Sequence, residues 1–501
     1  MKMIKRLTTI LFTIMMVLMT TTMVFADEPA VPTEGSSSTD KGTITISNAI
    51  KDQEYKVYKI FDLDSYSGTN YSYKVVDKWA NFFARTGGGY SYVTLDDDGY
   101  IKSFRLTETN APGFARSALV YAKDVSNGVS AITSTPTITD NADGTQTITY
   151  SDVDMGYYLV DSSVGALCSL NTTNLTATIQ EKNSVPTVKK EVGYSGGGVY
   201  APNNTAEIGQ VLSFQTIITV GDGAQNYILH DKMDAGLTYK DSSLNVLIKK
   251  TTDSGFTNLD STNYTLSIPA TDGDTFDIAF KQNFLYGLKK DDKIMVKYEA
   301  TLNENAVIGS VGNKNKTWIS YGDNKTTTEE QTITRTYGIP VFKFYKIDVT
   351  GTTNEQPLAG VTFELYKESG TEAIKFMKDA TGAEYRVALN TEAAYTITIE
   401  TNDTGKFTIK GLAAGNYELK EKTAPKGYNI PKNAVKIRIA DDGKIYVNGE
   451  TATPSTQVEI ENKTGTLLPS TGGVGTTMIY IVGVMLLIGS GVLLITKKNA
   501  K

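Results

Sequence analysis

Several lysine, acid and asparagine side chains fall on strand faces that are otherwise apolar. Side chains alternate between the two faces of a β-strand, so residues two apart point the same way. Three stretches each end such an apolar series with a polar residue: Phe342, Phe344 and Lys346; Tyr417, Leu419 and Glu421; Val458, Ile460 and Asn462. Burying an amine and a carboxyl is costly unless the two groups meet. The pattern therefore predicts that Lys346, Glu421 and Asn462 converge in one core.

A lysine, an acid and an asparagine in contact could form an intramolecular amide. Burial lowers the pKa of a lysine and raises that of a carboxyl, so a neutral amine can attack the asparagine carbonyl while the protonated acid polarises it. Ammonia leaves, and the enforced contact supplies the rate that free solution lacks. The alternative is a buried, hydrogen-bonded ion pair without a covalent bond.

The middle of the chain repeats the pattern with different spacing. Three apolar faces there each include one polar residue: Val188, Lys190 and Val192; Tyr227, Leu229, Asp231 and Met233; Asn315, Thr317, Ile319 and Tyr321. This predicts a second inward-facing trio of Lys190, Asp231 and Asn315. Asn313 lies on the same face as Asn315 and stays an alternative to it, and Glu299 is an alternative to Asp231.

The elements that must position these groups are β-strands. From Gly42 the sequence is rich in Thr, Val, Ile and Tyr, with turn residues about every ten positions, which is typical of all-β sandwiches. A chain of 501 residues is long enough for roughly three domains. We predict a polar linker over residues 27–41 and domains over 42–185, 186–336 and 337–463. One short helix is expected from Lys78 to Arg85, lying on a sheet.

Both ends of the chain carry export and membrane signals. Basic residues followed by an apolar stretch predict a signal peptide over residues 1–26, cleaved between Ala26 and Asp27. After a tether at 464–472, the segment 473–501 contains an apolar run long enough to cross a bilayer, with a basic tail that fixes its end in the cytoplasm. Everything between the two signals is therefore outside the cell.

Composition excludes several function classes. The chain has 55 acidic and 49 basic residues, and both terminal segments are basic, so the part between them is acidic and we expect no nucleic acid as a partner. Cys168 is the single cysteine and cannot form an internal disulfide. The single histidine, His230, leaves no room for a His-rich metal site, and we expect neither metal nor cofactor. No nucleophile elbow or phosphate-binding loop occurs, so an enzyme is not expected.

The pentapeptide at the end of the tether resembles the LPxTG sorting signal of Gram-positive surface proteins. It comprises Leu468, Pro469, Ser470, Thr471 and Gly472, and is followed by the span and basic tail. The resemblance implies that a sortase cuts after Thr471 and joins its carbonyl to an amine. A plain C-terminal membrane anchor is the alternative.

Two of the three domains resemble isopeptide-forming modules. The segment Tyr417 to Tyr428 is similar to the YxLxExxAPxGY E-box of CnaB-type domains in Gram-positive pilins and adhesins, and Lys346-Ile347-Asp348 resembles their opening strand. This resemblance implies a bond from Lys346 to Asn462 with Glu421 as catalyst. The middle domain resembles the CnaA type, which implies a bond from Lys190 to Asn315 with Asp231 as catalyst.

The first domain resembles these modules least. Asp161 stands where a CnaB-like acid would, but its opening strand lacks a lysine, and Lys59 is the nearest substitute. No bond is predicted there. Its last strand ends in Gln180-Glu181-Lys182-Asn183, which resembles the VYPKN-like motif of backbone pilins in its Lys-Asn pair but not in the residues before it. The resemblance implies that Lys182 accepts the Thr471 carbonyl of another subunit, with Lys189 as the alternative.

Together these features resemble the major, shaft-forming pilin of a sortase-assembled pilus. The fold class expected is all-β, with tandem immunoglobulin-like CnaA and CnaB-type sandwiches between a signal peptide and a transmembrane helix. The implied partners are pilus-type and housekeeping sortases, identical subunits, accessory tip and basal pilins, and peptidoglycan, and the implied location is the cell wall. The rival hypothesis is a single wall-anchored adhesin that binds a host ligand, which would need no acceptor lysine.

Overall fold

The computed structural model describes residues 41–498, apart from 68–69, 108–109, 163–164, 168–175, 182, 350, 450–452 and 465–473. Several predicted features lie outside the described residues: the signal peptide with its predicted cleavage site at Ala26 and Asp27, Cys168, the predicted acceptor Lys182, and the sorting signal Leu468 to Gly472. The contacts divide the chain into two compact units. Unit 1 is Met1–Asn204, Gln210–Asn305 and Asn313–Thr334, and unit 2 is Thr205–Gly209, Ala306–Gly312 and Arg335–Lys501.

The first part of unit 1 contains two four-stranded sheets and one hairpin. Its strands are β1 (Lys41–Ala49), β2 (Tyr55–Ser67), β3 (Asn70–Val75), β4 (Val93–Leu95), β5 (Ile101–Phe104), β6 (Thr137–Asp140), β7 (Gln146–Asp154), β8 (Gly156–Ser162), β9 (Gly165–Leu167) and β10 (Thr176–Gln180). The sheet orders are β10-β1-β7-β6 and β3-β2-β8-β9, and β4 pairs with β5. The opening strand β1 and the closing strand β10 are parallel neighbours.

Two α-helices pack on this part. The predicted short helix is present as a 3-10 turn (Asp77–Trp79) followed by α1 (Ala80–Phe83), with Trp79 and both phenylalanines buried. A longer helix, α2 (Ala111–Lys123), was not predicted. It begins with a proline in its first turn, where the missing N–H costs nothing, and buries Phe114, Ala118 and Leu119 in the same core.

The remainder of unit 1 is built around two seven-stranded sheets, whose last strand along the chain ends at Arg335. Their strands are β11 (Thr187–Tyr194), β12 (Tyr200–Ala201), β13 (Asn203–Thr205), β14 (Val211–Thr219), β15 (Ile228–Met233), β16 (Leu237–Tyr239), β17 (Asn245–Lys249), β18 (Thr257–Asn258), β19 (Tyr264–Ser267), β20 (Phe276–Phe280), β21 (Lys293–Leu302), β22 (Asn313–Tyr321), β23 (Lys325–Thr326) and β24 (Glu330–Arg335). One sheet has the order β12-β11-β14-β21-β17-β18 with β16 on β21, and the other β13-β24-β22-β15-β20-β19 with β23 on β22. A one-turn helix, α3 (Gln282–Leu285), follows β20.

Unit 2 contains a six-stranded and a five-stranded sheet. Its strands are β25 (Tyr337–Val349), β26 (Thr352–Pro357), β27 (Thr362–Lys367), β28 (Phe376–Lys378), β29 (Glu384–Val387), β30 (Ile399–Glu400), β31 (Lys406–Leu412), β32 (Gly415–Thr423), β33 (Val435–Ile439), β34 (Ile445–Val447) and β35 (Val458–Glu461). The orders are β26-β25-β31-β29-β28 with β35 on β25, and β30-β27-β32-β33-β34. The pairing of β25 with β35 is parallel.

The C-terminal helix α4 (Val474–Lys498) follows the strand domains. Its segment Met478–Lys497 has a mean hydropathy of 2.6 and is long enough to cross a membrane. The predicted all-β class, with one apolar helix at the C-terminal end, is confirmed. The division into three domains at residues 185 and 336 stays a prediction.

Candidate functional site: two buried lysine, acid and asparagine clusters

The first cluster lies between the two seven-stranded sheets and is called here the Asp231 cluster: Lys190, Asp231, Tyr298 and Asn315. Lys190 is on β11 and is buried, whereas its neighbour Lys189 points outward and pairs with Glu191 at 2.6 Å. The period-two pattern of β11 therefore orients the lysines as predicted.

Lys190 and Asp231 form an ion pair from which water is excluded. Both side chains are 0% exposed, and Lys190 Nζ contacts Asp231 Oδ2 directly. The Tyr298 hydroxyl, on β21, accepts a hydrogen bond from Lys190 Nζ at 2.6 Å and donates one to Asp231 Oδ2 at 2.6 Å. Tyr298 thus bridges the two charged groups.

Asn315, on β22, joins this cluster through the tyrosine. Its side-chain Nδ2 donates to the Tyr298 hydroxyl at 2.8 Å. The other amide atom, Asn315 Oδ1, and Asp231 Oδ1 are buried and have no hydrogen-bond partner in the part of the chain that the structure describes. Two unsatisfied buried acceptors are costly, and both belong to groups that the predicted amide formation would use.

The two alternative residues lie elsewhere. Asn313 is buried on the same face of β22, but its Nδ2 donates to the backbone oxygen of Thr334 at 3.2 Å. Glu299 follows Tyr298 on β21 and therefore faces the other way, where it pairs with Lys240 at 2.6 Å near solvent. The structure brings Asn315 and Asp231, rather than Asn313 or Glu299, to the Tyr298 hydroxyl.

The second cluster lies between the two sheets of unit 2 and is called here the Glu421 cluster: Lys343, Glu421 and Asn462. The Lys343 side chain is 0% exposed, and its Nζ contacts Asn462 Oδ1 and lies 3.1 Å from Glu421 Oε2. Asn462 Nδ2 donates to Glu421 Oε1 at 2.6 Å. All three groups are in mutual contact.

The prediction that Lys346 is the lysine of this cluster was wrong. Its side chain is 41% exposed and pairs with Glu461 at 3.3 Å near the surface. Strand β25 is apolar on both faces, so the series Phe342 and Phe344 competes with the series Ile339 and Val341. The second series faces the other sheet, and it ends in Lys343. Lys343 was not predicted, because alternation alone does not tell which of two apolar faces is the buried one.

Burial sets the protonation tendencies of both clusters. It lowers the pKa of Lys190 and raises that of Asp231, although their mutual attraction opposes both shifts. Burial also lowers the pKa of Lys343, against the attraction of Glu421. Both lysines are therefore shifted toward the neutral, nucleophilic amine.

The first part of unit 1 holds a different arrangement of charges. Asp161 is buried, as its position suggested, but its partner is Lys123 at the end of α2, with Nζ 3.0 Å from Asp161 Oδ2. Lys123 also pairs with Asp323 at 2.9 Å. The suggested substitute, Lys59, instead contacts Asp62 at 2.5 Å. Burial raises the pKa of Asp161 to about 6.

His230 lies on the opposite face of β15 from Asp231. Its ring nitrogens lie 2.9 Å from Asp277 Oδ1 and 2.9 Å from Ser320 Oγ, and the ring stacks on Trp318. Ligand-type atoms of His230, Asp272, Asp274 and Asp277 lie within 4.8 Å of one another. Lys232 already reaches Asp274 at 3.3 Å, which offsets part of this negative charge.

Two protein families match the C-terminal part of the chain. Residues 341–453 match the SpaA family, described as a prealbumin-like fold domain. Residues 460–501 match the LPXTG cell wall anchor motif. The predicted sorting region and its location at the cell wall are thereby confirmed.

One curated relative and one solved structure cover more of the chain. The trypsin-resistant surface T6 protein of Streptococcus pyogenes serotype M6 is 23% identical over 282 residues, which are 51% of this chain and 46% of the relative. The chain thus spans about half the length of that relative. The solved T6 backbone pilin of serotype M6 S. pyogenes has a TM-score of 0.52 at 19% identity and covers 80% of each chain. The predicted resemblance to backbone pilins is confirmed: this chain has their fold and carries a prealbumin-like domain followed by an LPXTG cell wall anchor.

Proposed function

We propose that this chain is the shaft subunit of a covalently polymerised pilus on the cell wall. A pilus-type sortase cleaves after Thr471 and joins its carbonyl to Lys182 of the next subunit, and a housekeeping sortase attaches the finished fibre to peptidoglycan. Accessory tip and basal pilins complete the fibre. The LPXTG anchor at 460–501 and the backbone-pilin fold support this role, which is structural rather than enzymatic.

We further propose two amide bonds within each subunit, Lys190 to Asn315 and Lys343 to Asn462. The observation that carries this proposal is that two separate cores each hold a buried lysine, a buried acid and an asparagine in one contact network. In each, the neutral amine attacks the asparagine side-chain carbon, the C–N bond forms, and the amide nitrogen leaves as ammonia after taking up a proton. In each, the acid takes the first proton from its lysine and polarises the asparagine carbonyl.

Such bonds would stabilise a fibre in two ways. By analogy with a disulfide, each closes a loop on the order of a hundred residues and removes about 4–5 kcal/mol of unfolded-state entropy. Lys343 and Asn462 also lie at the first and last strands of their domain, 119 residues apart. A covalent tie there lets tension pass from the entering strand to the leaving strand without unravelling the sheets.

Lys182 is proposed as the acceptor because its segment resembles the pilin motif. The neighbouring residues on both sides are compatible with that role. Glu181 is buried and its carboxylate accepts the Asn183 N–H at 2.7 Å, while Ser184 N–H donates to Asp222 O at 3.2 Å. The residues on both sides of Lys182 are therefore anchored. Lys189, whose side chain is 67% exposed, is the alternative acceptor.

Mass spectrometry tests this proposal. The exported chain, residues 27–471, should weigh two ammonia molecules less than its sequence, with crosslinked peptides at Lys190 and Lys343. Peptides from native cell-wall fibres should contain Thr471 joined to Lys182. Thr471 found only on peptidoglycan would make the chain a single anchored adhesin, and an unshifted mass would contradict the internal bonds.

A further inference from the structure

We propose that Tyr298 is a catalytic residue in forming the Lys190–Asn315 bond, passing a proton from the attacking amine to the departing amide nitrogen. This inference rests on the internal bond proposed above. It adds a second catalytic group, the Tyr298 hydroxyl, to Asp231, which was predicted as the single catalyst.

The hydroxyl of Tyr298 touches every group that reacts. It lies 2.6 Å from Lys190 Nζ, 2.6 Å from Asp231 Oδ2 and 2.8 Å from Asn315 Nδ2. The nucleophile, the acid and the leaving nitrogen therefore meet at one oxygen atom. A hydroxyl can accept one proton while it donates another, which is what a relay between these groups requires.

The ring of Tyr298 is held so that its hydroxyl stays at this point. It stacks on Phe214 with centroids 5.5 Å apart and meets Phe276 edge-on at 5.0 Å. The side chain is buried, and burial together with Asp231 raises its pKa well above the ordinary value. The phenol stays protonated and can donate its proton instead of ionising.

The protons of the reaction move only between neighbouring groups of the Asp231 cluster. In the buried pair one Lys190 proton moves to Asp231, which leaves a neutral amine and a neutral acid. The amine attacks Asn315 Cγ, and as the new C–N bond forms the C=O π pair moves to Oδ1, which leaves a positive charge on the lysine nitrogen and a negative charge on Oδ1 that re-forms the carbonyl when ammonia leaves. That nitrogen loses a proton to the Tyr298 oxygen while the Tyr298 hydroxyl proton moves to Asn315 Nδ2. The C–Nδ2 bond breaks, ammonia leaves, and Tyr298 is neutral again.

The Glu421 cluster explains why a relay is used in only one of the two clusters. There Asn462 Nδ2 donates directly to Glu421 Oε1 at 2.6 Å, so the acid itself reaches the leaving nitrogen. Asp231 has one methylene fewer, and its described contacts to the asparagine pass through Tyr298. The Tyr298 hydroxyl bridges the gap between Asp231 and Asn315 that the shorter acid leaves.

The test compares Tyr298→Phe with the unaltered chain, residues 27–471, purified after brief expression and incubated at neutral pH. Crosslinked and free Lys190 peptides are counted over time. General acid–base catalysis typically contributes about 10²–10⁴-fold, so we expect Tyr298→Phe to form the Lys190–Asn315 bond at least tenfold more slowly. The Lys343–Asn462 bond in the same molecule serves as the internal control and should form at its usual rate.

Tyr227→Phe is the matched control, because Tyr227 is equally buried but its hydroxyl accepts from the Gly221 N–H at 3.2 Å. Bond formation in Tyr298→Phe at the unaltered rate would overturn the inference. An unaltered chain with no ammonia loss at Lys190 would instead contradict the proposed bond itself. Should Tyr298→Phe fail to fold, 3,5-difluorotyrosine at position 298 keeps the shape and acidifies the phenol. A changed rate then supports the relay, and an unchanged rate overturns it.

Discussion

The Asp231 and Glu421 clusters each bring a lysine, an acid and an asparagine together, but their acids differ in length. Glu421 contacts both the lysine and the asparagine of its cluster. Asp231 contacts its lysine, and the asparagine joins through the Tyr298 hydroxyl. The difference shows that the number of groups in such a cluster depends on side-chain reach as well as on residue type.

The charged group around Asp161 shows the contribution of burial. Lys123 is 32% exposed there, and although burial lowers its pKa, the two acids Asp161 and Asp323 together outweigh burial and raise it. That lysine stays protonated and cannot attack a carbonyl. In the other two clusters the lysines are 0% exposed and burial lowers their pKa values. Water exclusion, rather than proximity to an acid, distinguishes the candidate nucleophiles.

Removing the acid of the Asp231 cluster should have the largest effect. In Asp231→Ala the Lys190–Asn315 bond should not form, and Lys190 loses its only described carboxylate partner. A broken buried pair costs about 3–5 kcal/mol and an absent crosslink a similar amount, so we expect a loss of at least about 5 kcal/mol in denaturant unfolding. Glu299→Gln is the control, with a change within about 1 kcal/mol. Ammonia loss at Lys190 in Asp231→Ala would contradict the assignment.

Replacing Lys343 of β25 should have the next largest effect, and the same replacement at Lys346 on that strand is its control. Lys343→Arg keeps the charge but cannot form the amide, so the exported chain should retain one more ammonia and lose about 4 kcal/mol of stability. Lys346→Arg should keep the bond and change stability by less than about 1 kcal/mol, because its partner Glu461 is near the surface. The opposite result, with the bond lost only in Lys346→Arg, would restore the original sequence-based assignment.

A smaller, pH-dependent effect is expected at Asp161. Its folded pKa of about 6 is above the unfolded value near 4, so the folded state binds more protons between these values. Stability should therefore fall as pH rises from about 4 to about 6, by about 2–3 kcal/mol, and level off above that. Asp161→Asn should flatten this slope in urea unfolding measured across that range. A slope that persists in Asp161→Asn would assign the titration to another group.

Strand periodicity predicted most of the two clusters because polar residues on an apolar face are conspicuous. Lys190, Asp231, Asn315, Glu421 and Asn462 all lie where their faces placed them. Lys343 was missed because β25 is apolar on both faces, so alternation alone does not select the buried one. Tyr298 was missed because a tyrosine in a strand looks like an ordinary core aromatic, and its contacts to Asp231 and Asn315 come from the opposite sheet.

Helix α2 could have been predicted from its own pattern. Phe114, Ala118 and Ala122 recur at a spacing of four, and a proline stands in the first turn. The surrounding sequence is typical of a β-sandwich, and this favoured strands over a helix at this position. The domain borders at 185 and 336 stay predictions, because domain borders depend on contacts between strands distant in sequence, which no local pattern contains.

The parallel pairing of β25 with β35 determines how a pulling force acts on unit 2. Force on the chain pulls β25 from its N-terminal end and β35 from its C-terminal end, so the two strands are loaded in opposite directions along their length. All hydrogen bonds between Val341–Phe344 and Val458–Glu461 then share the load in shear, instead of opening one after another. The pair β1 and β10 has the same parallel geometry. The first part of unit 1 can therefore resist extension in shear even though no internal crosslink is proposed there.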